Sequence, residues 1–193
     1  MFSHVARLFI ALLSATVVLE MPAGAAELMP CRTLAIKPLR LDPTLATVQI
    51  RCQAPGQSFT FPTNPPPTSG GAILARDLGT VGQDLAFTHT FEPALWSSVG
   101  LAGENGFRFH RPRGNPPFIG RPCRVMLGRR SLSISCLTDV RAVVAPLVGD
   151  LGFILRIGDA EYCGQIAGVE KRNDTLSVQR AKAPAPSACI SSF

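Results

Sequence analysis

The chain has 193 residues and a formal charge of +6, from 19 basic against 13 acidic residues, with six cysteines. The length suits one domain with a sizeable core. No Cys-x-x-Cys pair occurs, and the closest two cysteines are Cys123 and Cys136, a spacing that speaks against a zinc site. The charge excess is moderate and almost wholly arginine, since Lys37, Lys171 and Lys182 are the lysines. Genome composition is the plainer account of that, ahead of selection for planar, bidentate anion contacts.

The first residues have the layout of a signal peptide. Met1 to Arg7 carries one positive charge, and an apolar run from Leu8 to Leu19 follows. That run is about 12 residues, short of the roughly 20 that a spanning helix needs. Ala23-Gly24-Ala25 supplies small residues for cleavage, and Pro22 and Gly24 would interrupt a longer anchor helix. The residues before Cys31 are Leu28-Met29-Pro30, unlike a lipoprotein junction. The expectation is therefore a signal peptide over 1–25 and a β-rich domain with an extended C-terminal tail over 26–193, periplasmic or extracellular. Removing 25 of 193 residues leaves 168 and keeps the charge at +6, because Arg7 and Glu20 leave together. No transmembrane segment is expected after processing.

In the mature part, short alternating segments recur between Gly, Pro and Asn, and none holds a helical period for three turns. The expected class is all-β, a single antiparallel sandwich or barrel-like domain stapled by disulfides and carrying long loops. Ala46 to Cys52 places Val48, Ile50 and Cys52 on one face and Gln49 and Arg51 on the other, a half-buried strand. Phe61 to Gly71, rich in Pro and Gly, reads as a long loop. Leu85 to Phe91 is a strand candidate with His89 between Phe87 and Phe91. Glu92 to Val99 suits one or two helical turns with Pro93 in the first turn and Trp96 as a core anchor. Phe107 and Phe109 alternate with Arg108 and His110, a further strand.

The stretch Cys123-Arg124-Val125-Met126-Leu127, Gly128-Arg129-Arg130-Ser131, Leu132-Ser133-Ile134-Ser135-Cys136 is symmetric about its centre. A turn at Arg129-Arg130 sets Leu127 against Leu132, Val125 against Ile134 and Cys123 against Cys136. Directly opposed residues in antiparallel strands lie about 4.5–5.5 Å apart, which a disulfide can bridge, so Cys123–Cys136 is predicted. Leu151 to Ile157 is an apolar run of strand length, and Thr175 to Arg180 alternates through Leu176 and Val178. Asp159 and Glu161 fall in or near the turn before Tyr162, and Ala181 to Ala188 reads as an extended, polyproline-like tail. Cys189 would tie that tail down. Nearness in sequence pairs it with Cys163, leaving Cys31–Cys52.

Several tracts together carry a resemblance: Pro62-Thr63, Gly70-Gly71-Ala72-Ile73-Leu74, Pro93-Ala94-Leu95-Trp96, Asn105-Gly106-Phe107-Arg108-Phe109, Leu155-Arg156-Ile157-Gly158, Tyr162-Cys163 and Lys182-Ala183-Pro184-Ala185-Pro186-Ser187-Ala188-Cys189. Across most of its mature length the chain resembles an uncharacterised family of exported proteins of Gram-negative bacteria. It departs from that pattern at Phe107 and Phe109, where tyrosines are common, and at Ile166-Ala167-Gly168, where Phe-Gly-Gly is common. The resemblance implies a β-rich shell with a Tyr-Cys and terminal-Cys pair, consistent with Cys163–Cys189, and implies no activity.

Chemistry has little purchase. The mature chain holds two histidines, His89 and His110, with no Gly-x-Ser-x-Gly elbow, no His-Glu-x-x-His and no phosphate-binding glycine loop, so no catalytic residue, metal ligand or cofactor is assigned. His89 on a Phe-rich face reads as a hydrogen-bonded core or rim residue rather than a base, and Asp159 and Glu161 read as solvated turn formers rather than an acid/base pair. Asn173-Asp174-Thr175 is a glycosylation acceptor only in a eukaryotic secretory pathway, which the family resemblance argues against.

One lead remains. Arg108, Arg111, Arg113, Arg121, Arg124, Arg129 and Arg130 lie in a stretch, Asn105 to Thr138, that has no acidic residue. Converging, they would attract anionic polysaccharide, lipid head groups or extracellular nucleic acid; scattered, they are solvated charges that discourage edge pairing. No nucleic-acid recognition motif accompanies them. The sequence thus leaves a structural or protein-interaction module of the cell envelope, a binding module for an anionic envelope ligand, and, third, an enzyme.

Overall fold

A computed structural model of the chain describes residues 26–39, 41–42, 44–79, 85–112, 121–139, 150–166, 169–174 and 177–190. The expected leader, Arg113, Ala167-Gly168 and Thr175-Leu176 lie outside these residues.

The fold is all-β and consists of two sheets. One has five strands in the order β1 (Glu27–Met29), β11 (Ala160–Ile166), β10 (Leu151–Ile157), β4 (Gly71–Asp77) and β5 (Leu85–Phe91). The other has eight, in the order β12 (Val169–Asp174), β13 (Ser177–Ala183), β2 (Cys31–Pro38), β3 (Leu45–Gln53), β9 (Ser131–Asp139), β8 (Cys123–Gly128), β7 (Gly106–Arg111) and β6 (Trp96–Val99). Every neighbouring pair is antiparallel except β1 with β11.

The sheets face each other across one core. Met29, Ile73, Phe87, Leu151, Phe153, Leu155 and Tyr162 come from the five-stranded sheet; Leu34, Ile36, Val48, Ile50, Phe109, Val125, Leu127 and Ile134 come from the other. Alternation produces this directly. In β3, Ala46, Val48, Ile50 and Cys52 are buried while Gln49 and Arg51 are exposed, as a strand covered on one side requires. Each fully buried Leu, Ile or Phe contributes about 1.5–3 kcal/mol by leaving water. Phe91 meets Phe109 across the layers with ring centres 5.0 Å apart, and Trp96 packs 5.3 Å from Phe109, so Trp96 is a core anchor.

The β8–β9 hairpin has the register its symmetry predicts: Cys123 opposite Cys136, Val125 opposite Ile134 and Leu127 opposite Leu132. All six cysteines are paired, as Cys31–Cys52, Cys123–Cys136 and Cys163–Cys189. Three disulfides belong to a non-reducing environment. Among the described residues no helix is long and apolar enough to cross a membrane.

Cys189 and Ile190 of the C-terminal tail reach the outer face of the five-stranded sheet. There Leu74, Ile154 and Cys163 form one cross-strand row, each almost fully buried although none belongs to the core between the sheets. Cys189 pins the tail to this row. Gly152, in the same strand as Ile154, gives Ile190 room, since a Cβ there would lie 2.4 Å from Ile190 Cγ2.

Three expectations are corrected. The stretch Phe61 to Gly71 is not wholly loop: a short helix, α1 (Pro66–Ser69), forms in it with proline at its first position, where a missing N–H costs nothing, and β4 begins at Gly71. Glu92 to Val99 is helical only as a 3-10 turn over Pro93–Leu95; Trp96 to Val99 is strand β6 because it can pair with β7. The last long strand starts at Ser177 and runs to Ala183, three residues into the supposed polyproline tail, held by pairing with β2 through Ala181 and Ala183. Asp159 lies in the turn and Glu161 just beyond it in β11, as expected.

Candidate anion-binding face

The arginines described, all of the seven but Arg113, do not act together. Arg111 points into the core, 6% exposed, where β7 approaches β5. Its guanidinium donates to His89 Nε2 at 2.9 Å and to the Thr90 carbonyl at 3.1 Å, and pairs with Glu92. The Phe109 ring lies 5.6 Å below it. Arg111 therefore belongs to the fold, a cation that joins the two sheets, and leaves the set of ligand residues. The physical reason is phase: Arg111 falls in step with Phe107 and Phe109, the buried face of β7.

This cluster also settles His89. An imidazole that accepts from Arg111 is neutral at Nε2. Burial, then the Arg111 charge, lowers its pKa from the usual 6.5 to about 4. Partial burial works against the charge of Glu92, but the Arg111 hydrogen bond, a backbone hydrogen bond of its own and the Arg111 charge outweigh it and hold the carboxyl below its usual range. Asp159 and Glu161 are held apart from each other's chemistry. Asp159 accepts from Thr63 Oγ1 and, at 3.0 Å, from Asn64 N–H, and these bonds lower its pKa. Glu161 pairs with Arg156 at 2.5 Å. Among the described residues no three His, Cys, Asp or Glu side chains are grouped to hold a metal.

Arg121 pairs with Asp139 at 3.5 Å. Arg129 donates from Nε to the Glu104 carbonyl at 3.0 Å. The backbone carbonyls of Arg129 and Arg130 accept from Phe59 and Ala54, which fixes the β8–β9 turn against the preceding loop. Arg130 is exposed and lines a depression with Gln53 and Gln57.

Arg108 and Arg124 remain, both exposed on the outer face of the eight-stranded sheet. Arg108 is opposite Met126 and Arg124 is opposite His110, so the two arginines are diagonal neighbours on β7 and β8. Diagonal Cβ atoms lie about 7–8 Å apart, where two cations repel by only about 0.5 kcal/mol in water. The sheet tolerates that, and a bound anion would reverse its sign. The Arg108 row continues through Met126 and Ser133 to Arg51 on β3, and the Arg124 row through Ser135 to Gln49. Lys37, opposite Thr47, adds a cation on β2. Along the outward positions of β2, β3, β7, β8 and β9 the acidic residue is Asp139, at a strand end and paired with Arg121.

Sequence reasoning overlooks Arg51, Lys37 and His110 as members of this face. Spacing places Arg51 opposite the apolar face of its strand, but which strands lie beside it is not written in local spacing.

The molecule is thus an all-β, disulfide-stapled two-sheet protein with a basic outer face on its larger sheet. No family model, curated protein or solved structure matches the chain.

Proposed function

We propose that the chain is an exported binding module for an anionic ligand of the bacterial cell envelope, and that the ligand meets the outer face of the eight-stranded sheet. The observation that carries this reading is the placement of Arg51, Arg108 and Arg124 on one solvent-exposed face where the outward carboxylate along β2, β3, β7, β8 and β9, Asp139, is already paired. Arginine suits phosphate, sulfate and carboxylate groups because its planar fork donates two parallel hydrogen bonds. A rigid sheet holds such side chains at fixed separations. The resemblance of Tyr162-Cys163 and the Ala183-Pro184-Ala185-Pro186 tail to exported Gram-negative proteins supports the envelope as the setting.

The test is retention of the oxidised mature protein on heparin at low and high salt, beside an Arg51→Ser, Arg108→Ser, Arg124→Ser triple variant. Retention that salt abolishes and the variant lacks is the expected result, since exposed charges are screened beyond about 8 Å at physiological ionic strength. Equal elution of the two proteins would overturn the reading and leave a structural or protein-interaction module of the envelope. Arg111 is unsuitable for the variant, because its removal leaves Glu92 and the Thr90 carbonyl without their partner.

A further inference from the structure

Resting on that reading, we infer that the basic face has a defined anchoring point. It is a depression of about 250 Å³ beside the Cys123–Cys136 disulfide, and it takes a phosphate monoester carried on a larger envelope molecule.

Thr47, His110, Arg124 and Ser135 line the depression together with Leu137 and Pro122. These four side chains come from four adjacent strands, β3, β7, β8 and β9; Arg111, whose guanidinium is engaged by His89, Thr90 and Glu92, also borders the depression. Ser135 is directly opposite Arg124, and Arg124 is directly opposite His110. Thr47 is directly opposite Leu137, with Lys37 next in that row. A guanidinium, an imidazole and two hydroxyls therefore line one spot. The nearest outward carboxylate, Asp139, is held by Arg121.

Donors arriving from several directions suit a phosphate monoester, whose three terminal oxygens and charge near −2 accept more hydrogen bonds than a planar carboxylate does. The size fits as well. Pockets for drug-sized ligands begin at about 300 Å³, so this depression takes a charged group and the first atoms behind it. The position is rigid because Cys123–Cys136 ties β8 to β9 at the rim, and a site on strands holds its geometry better than one on loops. Arg108 lies outside it, which separates this subsite from general attraction to the face.

The experiment follows amide NMR shifts of the oxidised mature protein during titration with inorganic phosphate and with glucose 6-phosphate, and measures heparin retention in parallel. The expected result is saturable binding of both phosphates, with shifts centred on Thr47, His110, Arg124 and Ser135. Ser135→Leu, which fills the depression without changing charge, should weaken both at least tenfold. Thr47→Val should weaken them severalfold, and Arg108→Ser should weaken them less than Arg124→Ser does. Tighter binding of glucose 6-phosphate than of inorganic phosphate would support an ester on a larger molecule; the reverse order would overturn that part. If Arg108→Ser and Arg124→Ser weaken phosphate equally and Ser135→Leu has no effect, the anchoring point is overturned while the basic face stands. Heparin retention without saturable phosphate binding would likewise remove the anchoring point alone. Loss of both heparin and phosphate binding in the native chain would remove the face reading itself.

Discussion

The two sheets share one core, yet their outer faces have opposite fates. On the five-stranded sheet, outward Leu74, Ile154 and Cys163 form an apolar row that the C-terminal tail reaches through Cys189 and Ile190, and β10 is buried on both sides. On the eight-stranded sheet the outward residues of β3, β7, β8 and β9 include Gln49, Arg51, Arg108, His110, Arg124 and Ser135, all exposed. Period-2 alternation places residues identically on both sheets. What differs is which residues occupy the outward set: apolar ones recruit the chain's own tail, while arginines among hydroxyls need no cover and stay available to a partner.

Removing the tail's anchor should give the largest effect. Cys163 and Cys189 close a loop of 26 residues, for which loss of the cross-link costs about 3–4 kcal/mol. The Cys163→Ser, Cys189→Ser double variant should therefore melt well below the native protein, bind a hydrophobic dye and lose its tail to limited proteolysis. A tail that stays protected would mean that Ile190 and its neighbours hold it without the bond. A matched pair of substitutions probes the two faces next. Gly152→Val forces atoms into the space of Ile190 and should cost about 1–3 kcal/mol by overpacking. Ser133→Val, on the half-buried outer side of β9, should change stability by no more than about 0.5 kcal/mol. Equal costs in a denaturant titration would show that the outer face of the eight-stranded sheet is also covered.

How much of this is legible in the sequence depends on whether the signal is local. The β8–β9 hairpin and its disulfide can be read because both strands, the turn and the cysteines sit in one symmetric stretch. Leu151 to Ile157 reads as a strand, but its continuous apolar run becomes meaningful only with the tail on its second face. β2, β4 and β11 escape such a reading because each mixes glycine, alanine or charged residues into the alternation and depends on neighbours distant in sequence. For the site, a charge run treats every arginine alike, while strand phase sorts them. Arg111 is in step with Phe107 and Phe109 and goes in; Arg108 and His110 are out of step and go out. That sorting is available from spacing. The companionship of Arg51 and Lys37 is not, because it depends on β3 and β2 lying beside β9.

The buried Arg111 cluster should give the fold a pH dependence. His89 has a folded pKa of about 4 against 6.5 unfolded. The neutral ring is favoured in the fold, so its contribution is fully present above pH 6.5 and declines as pH falls toward 4, where the unfolded chain binds a proton that the folded one resists. The groups facing it are Arg111, Glu92 and Arg121. Glu92, held below its usual range, loses its own contribution only as pH falls further. His89→Gln keeps an acceptor for Arg111 without a titrating ring. Its melting temperature should fall less between pH 7 and pH 5 than that of the native protein, and an unchanged slope would show that the ring is open to protons in the fold.

A last pair of variants probes the point where the chain leaves the larger sheet for the outer face of the smaller one. Lys182, near the end of β13, has a φ of +61°, a conformation that costs an ordinary side chain about 1–2 kcal/mol. Glycine there removes the penalty but adds freedom to the unfolded chain, so Lys182→Gly should shift stability by only a few tenths of a kcal/mol. Lys182→Val should cost about 1–2 kcal/mol, because a β-branched residue is poorly tolerated at positive φ. Equal stability of the valine and glycine variants in denaturant would mean that the bend relaxes to an ordinary strand, and that Cys189, rather than this corner, directs the tail across the five-stranded sheet.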